Sequence, residues 1–246
     1  MKQFGTTYSG FFYPEKLGRI TSNSVIYCFG AGEDISHDIE VAHKTGAIIH
    51  IFDPTPRAMA HVQQVQEVLI TKNEPPINKR VGGGDPNYWK RILQHPVESS
   101  KIRFYEYGLY TEDNPKMKFY MPSNPEYVSH SLVEGMKSSN YIEVPVKSLE
   151  TIMKELGHTH IDLLKLDIEG CECDVIEYML QDSVYPTYVS VDFDLGWTGE
   201  KRMDRERCFQ TIALLERNGY EILHQAGPNI SFHRSTSILL NTYKKS

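Results

Sequence analysis

The sequence has no excess of positive charge and no long hydrophobic run. Lysine and arginine total 26 residues against 32 aspartate and glutamate residues, which gives a formal net charge of −6. Because contacts with a phosphate backbone need a basic surface, this balance argues against a general nucleic-acid-binding protein. The chain also lacks a run of roughly 20 apolar residues and the apolar core of a signal peptide. We therefore expect a cytoplasmic protein with no membrane span.

Cysteine is scarce, and its spacing does not form a metal motif. The four cysteines are Cys28, Cys171, Cys173 and Cys208. The C-x-C pair at 171 and 173 lacks the second cysteine pair or the histidines of a zinc site. We expect reduced, structural thiols, with Cys28 in a buried strand.

The chain contains no internal repeat and no low-complexity segment, and its 246 residues suit one large α/β domain. β-rich runs alternate with helical patterns, which is typical of a doubly wound parallel sheet. We expect this domain to occupy residues 24–246. Residues 73–100 are rich in proline and glycine and are predicted to form an insertion with a short helix near Tyr88. Residues 1–23 are rich in aromatics and are expected to pack on the domain or to cap its site.

Hydrophobic periodicity also predicts how the sheet closes. The clearest buried strand is 161–167, and a further strand is expected at 187–194. Residues 220–225 and 235–241 are predicted to form the closing antiparallel pair.

The first predicted strand ends in a glycine turn, Gly30-Ala31-Gly32. Glycine lets the backbone turn sharply and lets a ligand approach without interference from a Cβ atom. The helix that follows offers unpaired N–H groups and the positive end of its dipole. Asp53 ends the second strand, where a carboxylate can accept hydrogen bonds from both hydroxyls of a ribose. Together these features predict an adenosine-containing cofactor, whereas the turn alone is also a common strand-to-helix connection.

The residues after the turn favour one cofactor over another. A dinucleotide fingerprint has a third small residue three positions after the second glycine, but this chain has Ile35 there, after Glu33 and Asp34. Two carboxylates would repel a pyrophosphate and would suit the sulfonium and amino groups of S-adenosylmethionine. We therefore predict methyl transfer. An NAD(P)-dependent oxidoreductase and a non-catalytic binding module remain as alternatives.

Acidic residues follow two neighbouring predicted strands. Asp167 ends the strand 161–167, and Asp192 and Asp194 lie on the same face at the end of the next strand. The carboxyl ends of central strands line the ligand crevice of such sheets, so Asp167 and Asp194 are candidate bases for removing a hydroxyl proton. His130 and His233 are alternative bases. Asp167, Asp192 and Asp194 are also tentative ligands for Mg²⁺ or another divalent cation.

Four segments resemble the FkbM-type family of S-adenosylmethionine-dependent methyltransferases. They are VIYCFGAGEDIS at 25–36, IHIFDPTP at 49–56, VPVKSLETIM at 144–153 and, the most specific of them, IDLLKLDIEGCE at 161–172. The resemblance implies the class I methyltransferase fold, which is Rossmann-like, with a doubly wound seven-stranded sheet whose last strand is antiparallel. It also implies O-methylation of a hydroxyl on a sugar, a glycan or a small hydroxylated metabolite.

Carried onto this chain, the resemblance implies a set of site residues. Those expected to bind the cofactor are Gly30, Ala31, Gly32, Asp34, Asp53, Tyr107, Gly108 and Asp167. Asp167 and Glu169 are expected at the reaction end. The insertion 73–100 and the acidic end of the strand 187–194 depart from the family pattern. Tyr88, Trp89 and Trp197 are either stacking faces for a sugar ring or ordinary packing residues.

Overall fold

The computed structural model describes residues 1–76, 81–121, 140–193 and 202–235, the last range without the side chains of 202–204. The strands are β1 (Lys2–Phe4), β2 (Phe11–Tyr13), β3 (Ile26–Phe29), β4 (Ile49–Phe52), β5 (Ile102–Tyr105), β6 (Gly108–Leu109), β7 (Asn114–Tyr120), β8 (Tyr141–Lys147), β9 (Leu163–Leu166), β10 (Tyr188–Asp192), β11 (Tyr220–Ala226) and β12 (Asn229–Arg234). The helices are α1 (Ser36–Thr45), α2 (Pro56–Thr71), α3 (Tyr88–Gln94), α4 (Leu149–Leu156), α5 (Glu172–Gln181) and α6 (Arg202–Arg217).

A seven-stranded sheet forms the centre of the molecule, in the order β11-β12-β10-β9-β3-β4-β5. Neighbouring strands from β10 to β5 run parallel, and β12 is antiparallel to both β10 and β11. This arrangement confirms the predicted doubly wound sheet with its last strand antiparallel. The strand order reverses between β3 and β9, and a ligand crevice is expected at the carboxyl ends of these two strands.

The two faces of the sheet bury different side chains because successive residues of a strand point in opposite directions. Ile26 and Cys28 of β3 belong to one core, together with apolar residues of α1, α2 and α3. Tyr27 and Phe29 belong to the opposite core, with residues of α4, α5 and α6. All four residues of β3 are therefore buried, as expected for a strand covered by helices on both faces.

Local capping explains where several helices begin and end. The side chain of Thr55 accepts a hydrogen bond from the Ala58 amide at the start of α2, and Pro56 occupies the first turn. Ser148 caps α4 in the same way, and Gly157 ends that helix in the left-handed conformation. Among the described residues, no helix has both the length and the apolar character needed to cross a membrane.

The closing hairpin differs from its prediction. β11 pairs with β12, which ends at Arg234 and was not predicted as a strand. Gly227 takes a φ of 62° in the turn between the two strands, a conformation that glycine adopts easily. The sequence reading missed 229–234 as a strand, although polar and apolar residues alternate there. Of 235–241, only Ser235 lies within the described residues.

Two smaller sheets accompany the central sheet. β6, β7 and β8 form a three-stranded sheet in the order β6-β8-β7. At the N-terminus, β1 and β2 form an antiparallel hairpin whose residues Phe4, Phe11 and Tyr13 are buried in the core with α1. The short helix predicted near Tyr88 is present as α3.

Candidate active site

A cavity of about 360 Å³ lies at the carboxyl ends of β3, β4, β9 and β10. This volume is within the range of small-molecule and cofactor sites. The glycine turn and the predicted acidic residues Asp34, Asp53, Asp167 and Asp192 all line it. The structure therefore brings together residues that lie far apart in the sequence.

The glycine turn is held in place by two neighbouring segments. Gly30 has a φ of 84°, and a Cβ atom there would overlap the carbonyl oxygen of Asp167. The Asp53 carboxylate accepts hydrogen bonds from the amides of Ala31 at 2.9 Å and Gly32 at 3.0 Å. Its other oxygen accepts from the amide and the hydroxyl of Thr55. Asp53 thus fixes the turn, and its contact with a ribose stays a prediction.

The acidic pair after the turn has partners within the protein. Arg57 donates to both carboxylate oxygens of Glu33, at 2.6 and 3.2 Å. Asp34 accepts a hydrogen bond from the Ser36 amide at 2.9 Å and from the Thr6 hydroxyl at 2.5 Å. Because Arg57 compensates the charge of Glu33, the repulsion of a pyrophosphate is weaker than the sequence alone suggested. Asp34 lines the cavity.

Lys165 is a fully buried cation beneath the glycine turn. Its ammonium donates to the carbonyl of Gly30 at 3.0 Å and lies 3.7 Å from a carboxylate oxygen of Asp38. Burial tends to raise the pKa of Asp38, but Lys165 and His37 outweigh burial and lower it to about 2. The lysine and Asp38 therefore form a buried ion pair that supports the turn from below.

Asp167 stands at the end of β9 with an unusual proton affinity. Burial raises its pKa, and the attraction of Lys165 opposes this effect. The negative charges of Glu169, Asp53 and Asp38 add to the increase, so the pKa reaches about 7. A carboxylate that titrates near neutral pH can accept a proton from a substrate more effectively than an ordinary aspartate.

The loop after Asp167 is shaped by Glu172. The Glu172 carboxylate accepts hydrogen bonds from the amides of Ile168 at 3.1 Å and Gly170 at 3.0 Å. Burial raises the pKa of Glu172 to about 8. Glu169 adopts a φ of 58° in this loop and lines the cavity. Glu172, the first residue of α5, thus holds the loop that precedes this helix.

The described residues do not support a divalent cation at the predicted acidic site. Within them, the only three potential ligands that lie close together are Cys28, His37 and Asp38, which are buried on the α1 side of β3. Lys165 beside Asp38 would repel a cation there. Asp192 lines the cavity. When the side-chain nitrogen of Asn229 faces Asp192, it donates to both carboxylate oxygens at 3.0 Å.

Some predicted residues lie outside the described part of the chain or away from the cavity. His130, Asp194 and Trp197 are in the ranges that the structure does not describe. His233 is described, but it packs on Tyr188 in β10, with the ring centroids 4.9 Å apart, and does not line the cavity.

A family model described as the methyltransferase FkbM domain matches residues 24–222. The chain belongs to the FkbM methyltransferase family. Comparisons with curated proteins and with solved structures gave no match. The family match covers β3 to α6 and the first residues of β11, and therefore includes the glycine turn, Asp53 and Asp167.

In this FkbM methyltransferase, only one of the two predicted cofactor-binding residues after β5 lines the cavity. Gly108 lines the cavity with Leu109 and Phe119, but Tyr107 is not among the lining residues. The Tyr107 ring instead packs on Phe52 at 5.6 Å, and the ammonium of Lys147 lies 4.5 Å from its centroid. Tyr107 therefore packs against Phe52, which lines the cavity, and does not line the cavity itself.

The insertion supports the glycine turn of this methyltransferase. Tyr88 is fully buried, and its hydroxyl accepts a hydrogen bond from the Ile35 amide and contacts His61 at 2.7 Å. Trp89 packs beside it and is 7% exposed. The structure therefore favours packing over sugar stacking for these two rings.

Sequence reasoning missed several residues of the cavity wall, and Tyr8 is one of them. Tyr8, from the N-terminal hairpin, lines the cavity together with Thr7 and Ser9. The only signal in the sequence was the richness in aromatics of residues 1–23, which indicated packing or capping but did not single out a residue.

Proposed function

We propose that this FkbM methyltransferase uses S-adenosylmethionine to methylate a hydroxyl of a sugar, a glycan or a small hydroxylated metabolite. The observation that carries the proposal is the position of Asp167 in the cavity, packed against the glycine turn and with a pKa raised to about 7. The acidic wall suits a donor that carries sulfonium and ammonium charges.

The cofactor would supply an electrophilic methyl group on a cationic sulfur. The chain's own residues would position the reactants, since in-line displacement depends strongly on orientation. Asp167 would take the proton of the acceptor hydroxyl, because such a hydroxyl is a poor nucleophile while it keeps its proton. The Gly30 turn, held by Asp53 and Lys165, would fix the cofactor relative to this carboxylate.

The main rival is an NAD(P)-dependent oxidoreductase. The family match opposes it, as do the acidic residues in the cavity wall. In the second alternative, the protein has the same fold and binds a ligand but catalyses no reaction. An intact turn and an Asp167 with a raised pKa favour an active enzyme over that alternative.

Calorimetric titration tests the cofactor directly. We expect S-adenosylhomocysteine to bind at micromolar affinity and NAD to give no heat, with and without Mg²⁺. Asp53→Ala should weaken binding about tenfold or more, because the carboxylate holds the Ala31 and Gly32 amides. Glu216→Gln, on the exposed face of α6, is the matched control and should bind like the wild type.

Binding of NAD but not S-adenosylhomocysteine would replace the proposal with the oxidoreductase. If S-adenosylhomocysteine binds, methyl transfer from labelled S-adenosylmethionine to a panel of sugars, polyols, amines and thiols then tests the acceptor class. Transfer only to amines or thiols would contradict O-methylation.

A further inference from the structure

The family match begins at residue 24, but the cavity is completed by residues that precede it. The connection between β1 and β2 carries Thr7, Tyr8 and Ser9 into the cavity wall. This segment therefore adds side chains that the matched domain does not itself contain.

The segment is held firmly against the glycine turn. The Thr6 amide donates to the Ser36 hydroxyl at 2.9 Å, and the Thr6 hydroxyl donates to Asp34 at 2.5 Å. The same hydroxyl accepts from the amides of Tyr8 at 3.2 Å and Ser9 at 3.3 Å. These bonds fix the backbone of Tyr8 relative to Asp34.

The ring of Tyr8 is supported from the insertion. Gly83 has a φ of 65°, and a Cβ atom there would overlap the Tyr8 ring. The neighbouring Gly82 amide donates to the carbonyl of Glu33 at 2.9 Å. The insertion thus packs behind Tyr8 and is tied to the loop after the glycine turn.

No hydrogen bond of the Tyr8 hydroxyl is seen among the described residues, and Tyr8 shares the cavity wall with four carboxylates, those of Asp34, Asp167, Glu169 and Asp192. The pKa of Tyr8 is raised to about 12. Burial is the largest cause, and the negative charges of Asp167, Glu169, Asp34 and Asp192 add to the increase. These acids come from the loops after three different strands. Tyr8 is still 55% exposed, because it lines an open cavity. Its phenol is therefore a protonated group at the point where the strand ends converge.

We propose that Tyr8 is a positioning residue of the transfer site, where its phenol borders the donor methyl group on the side from which the acceptor approaches. This inference rests on the proposed use of S-adenosylmethionine. It assigns the N-terminal hairpin a role in the reaction beyond packing, because Tyr8 shares the cavity wall with Asp167.

Nuclear magnetic resonance of S-adenosylmethionine labelled with ¹³C in its methyl group tests the proposal without a known acceptor. Ring currents and nearby hydroxyls shift the signal of a methyl group that they border. We expect the bound methyl signal to move in Tyr8→Leu, which loses the ring. Tyr8→Phe keeps the ring and should move it less. Tyr141→Leu is the control, because Tyr141 is 44% exposed on β8 and does not line the cavity.

Each outcome decides a separate point. An unchanged bound signal in Tyr8→Leu, with binding retained, would overturn the placement of Tyr8 and leave the cofactor assignment intact. Failure of the wild type to bind S-adenosylmethionine would instead contradict the proposed function, and with it this inference. If Tyr8→Leu does not bind, the comparison of Tyr8→Phe with the wild type tests the hydroxyl. A signal with the same position and line width, together with equal affinity, would contradict the placement of the hydroxyl beside the methyl group.

Discussion

At the residue scale, the buried pair of Lys165 and Asp38 determines much of the site's geometry. A lysine with no solvent exposure is stable only when its charge is compensated, and here one carboxylate and one carbonyl do so. The sequence shows only that Lys165 lies two residues before Asp167. It did not indicate Asp38 or the carbonyl of Gly30 as partners.

Lys165→Met should lower the free energy of unfolding by about 3–5 kcal/mol, because it leaves the Asp38 carboxylate buried and unpaired. The double variant Lys165→Met/Asp38→Leu should recover most of this loss, since an apolar pair of similar volume needs no compensation. Urea unfolding of the three proteins measures both effects. Equal stabilities of the single and double variants would show that the ion pair is not the cause.

Asp167 should make stability depend on pH. Its pKa is about 7 in the folded protein, against an ordinary value of about 4 in the unfolded chain. Between these values the folded state holds a proton that the unfolded state has released. The contribution of Asp167 to the free energy of unfolding therefore falls as pH rises from about 4 to about 7, and then levels off.

Asp167→Asn removes this contribution. The free energy of unfolding of the variant, relative to that of the wild type, should therefore be higher by about 1–3 kcal/mol at about pH 8 than at about pH 5. Urea unfolding at the two pH values measures the gain, and Glu216→Gln should follow the wild type at both. A difference between Asp167→Asn and the wild type that stays constant with pH would contradict the raised pKa. Turnover of Asp167→Asn should fall, as expected for a residue that accepts the acceptor's proton.

At the scale of elements, the N-terminal hairpin and α1 are joined through the contact between Thr6 and Asp34. Hairpins of two short strands are marginally stable alone, so this one depends on its packing against the domain. Its aromatic residues supply that packing, and the hydroxyl of Tyr13 adds contacts to His37 at 3.0 Å and Ser190 at 2.6 Å.

A double-mutant cycle of Thr6→Val and Asp34→Asn should give a coupling free energy of about 1–3 kcal/mol, because the hydroxyl donates to a buried carboxylate. Thr71→Val, which removes a hydroxyl bonded to a carbonyl on the exposed surface of α2, should change stability by less than about 0.5 kcal/mol. Additive effects of the two variants would mean that the hairpin is not anchored through Asp34.

The sequence was more reliable for buried parallel strands than for the edge of the sheet. β3, β4 and β9 are short, mostly apolar runs, interrupted only by His50 in β4 and Lys165 in β9, so their type was evident. β12 carries Asn229, Ser231 and His233 between apolar residues, which weakens the local signal. The strand forms because β10 and β11 pair with it on both sides.

At the scale of the whole molecule, cofactor binding and folding should be coupled. The cavity wall draws residues from the hairpin, β4, β9, β10 and the turn before β12, so a ligand there contacts many elements of the fold at once. A ligand that binds only the folded state stabilises it by mass action.

S-adenosylhomocysteine at about 100 times its dissociation constant should stabilise the protein by about 2.7 kcal/mol, which raises the melting temperature by roughly 5–10 °C. Thermal unfolding followed by circular dichroism measures this shift. NAD at the same concentration serves as the control and should leave the midpoint unchanged. An equal shift with both ligands would point to a nucleotide site without selectivity for the methyl donor.

The sequence by itself determined the fold class, the family and the positions of the glycine turn, Asp53 and Asp167, because these depend on local periodicity and on motifs contiguous in the chain. The tertiary structure alone decided which charges meet. Lys165 with Asp38 and Arg57 with Glu33 are contacts between distant segments, and Tyr8 lines the same cavity as the acids of three strand ends. Charge compensation and burial act through space rather than along the chain, so the proton affinity of Asp167 could not be predicted before the strands were assembled.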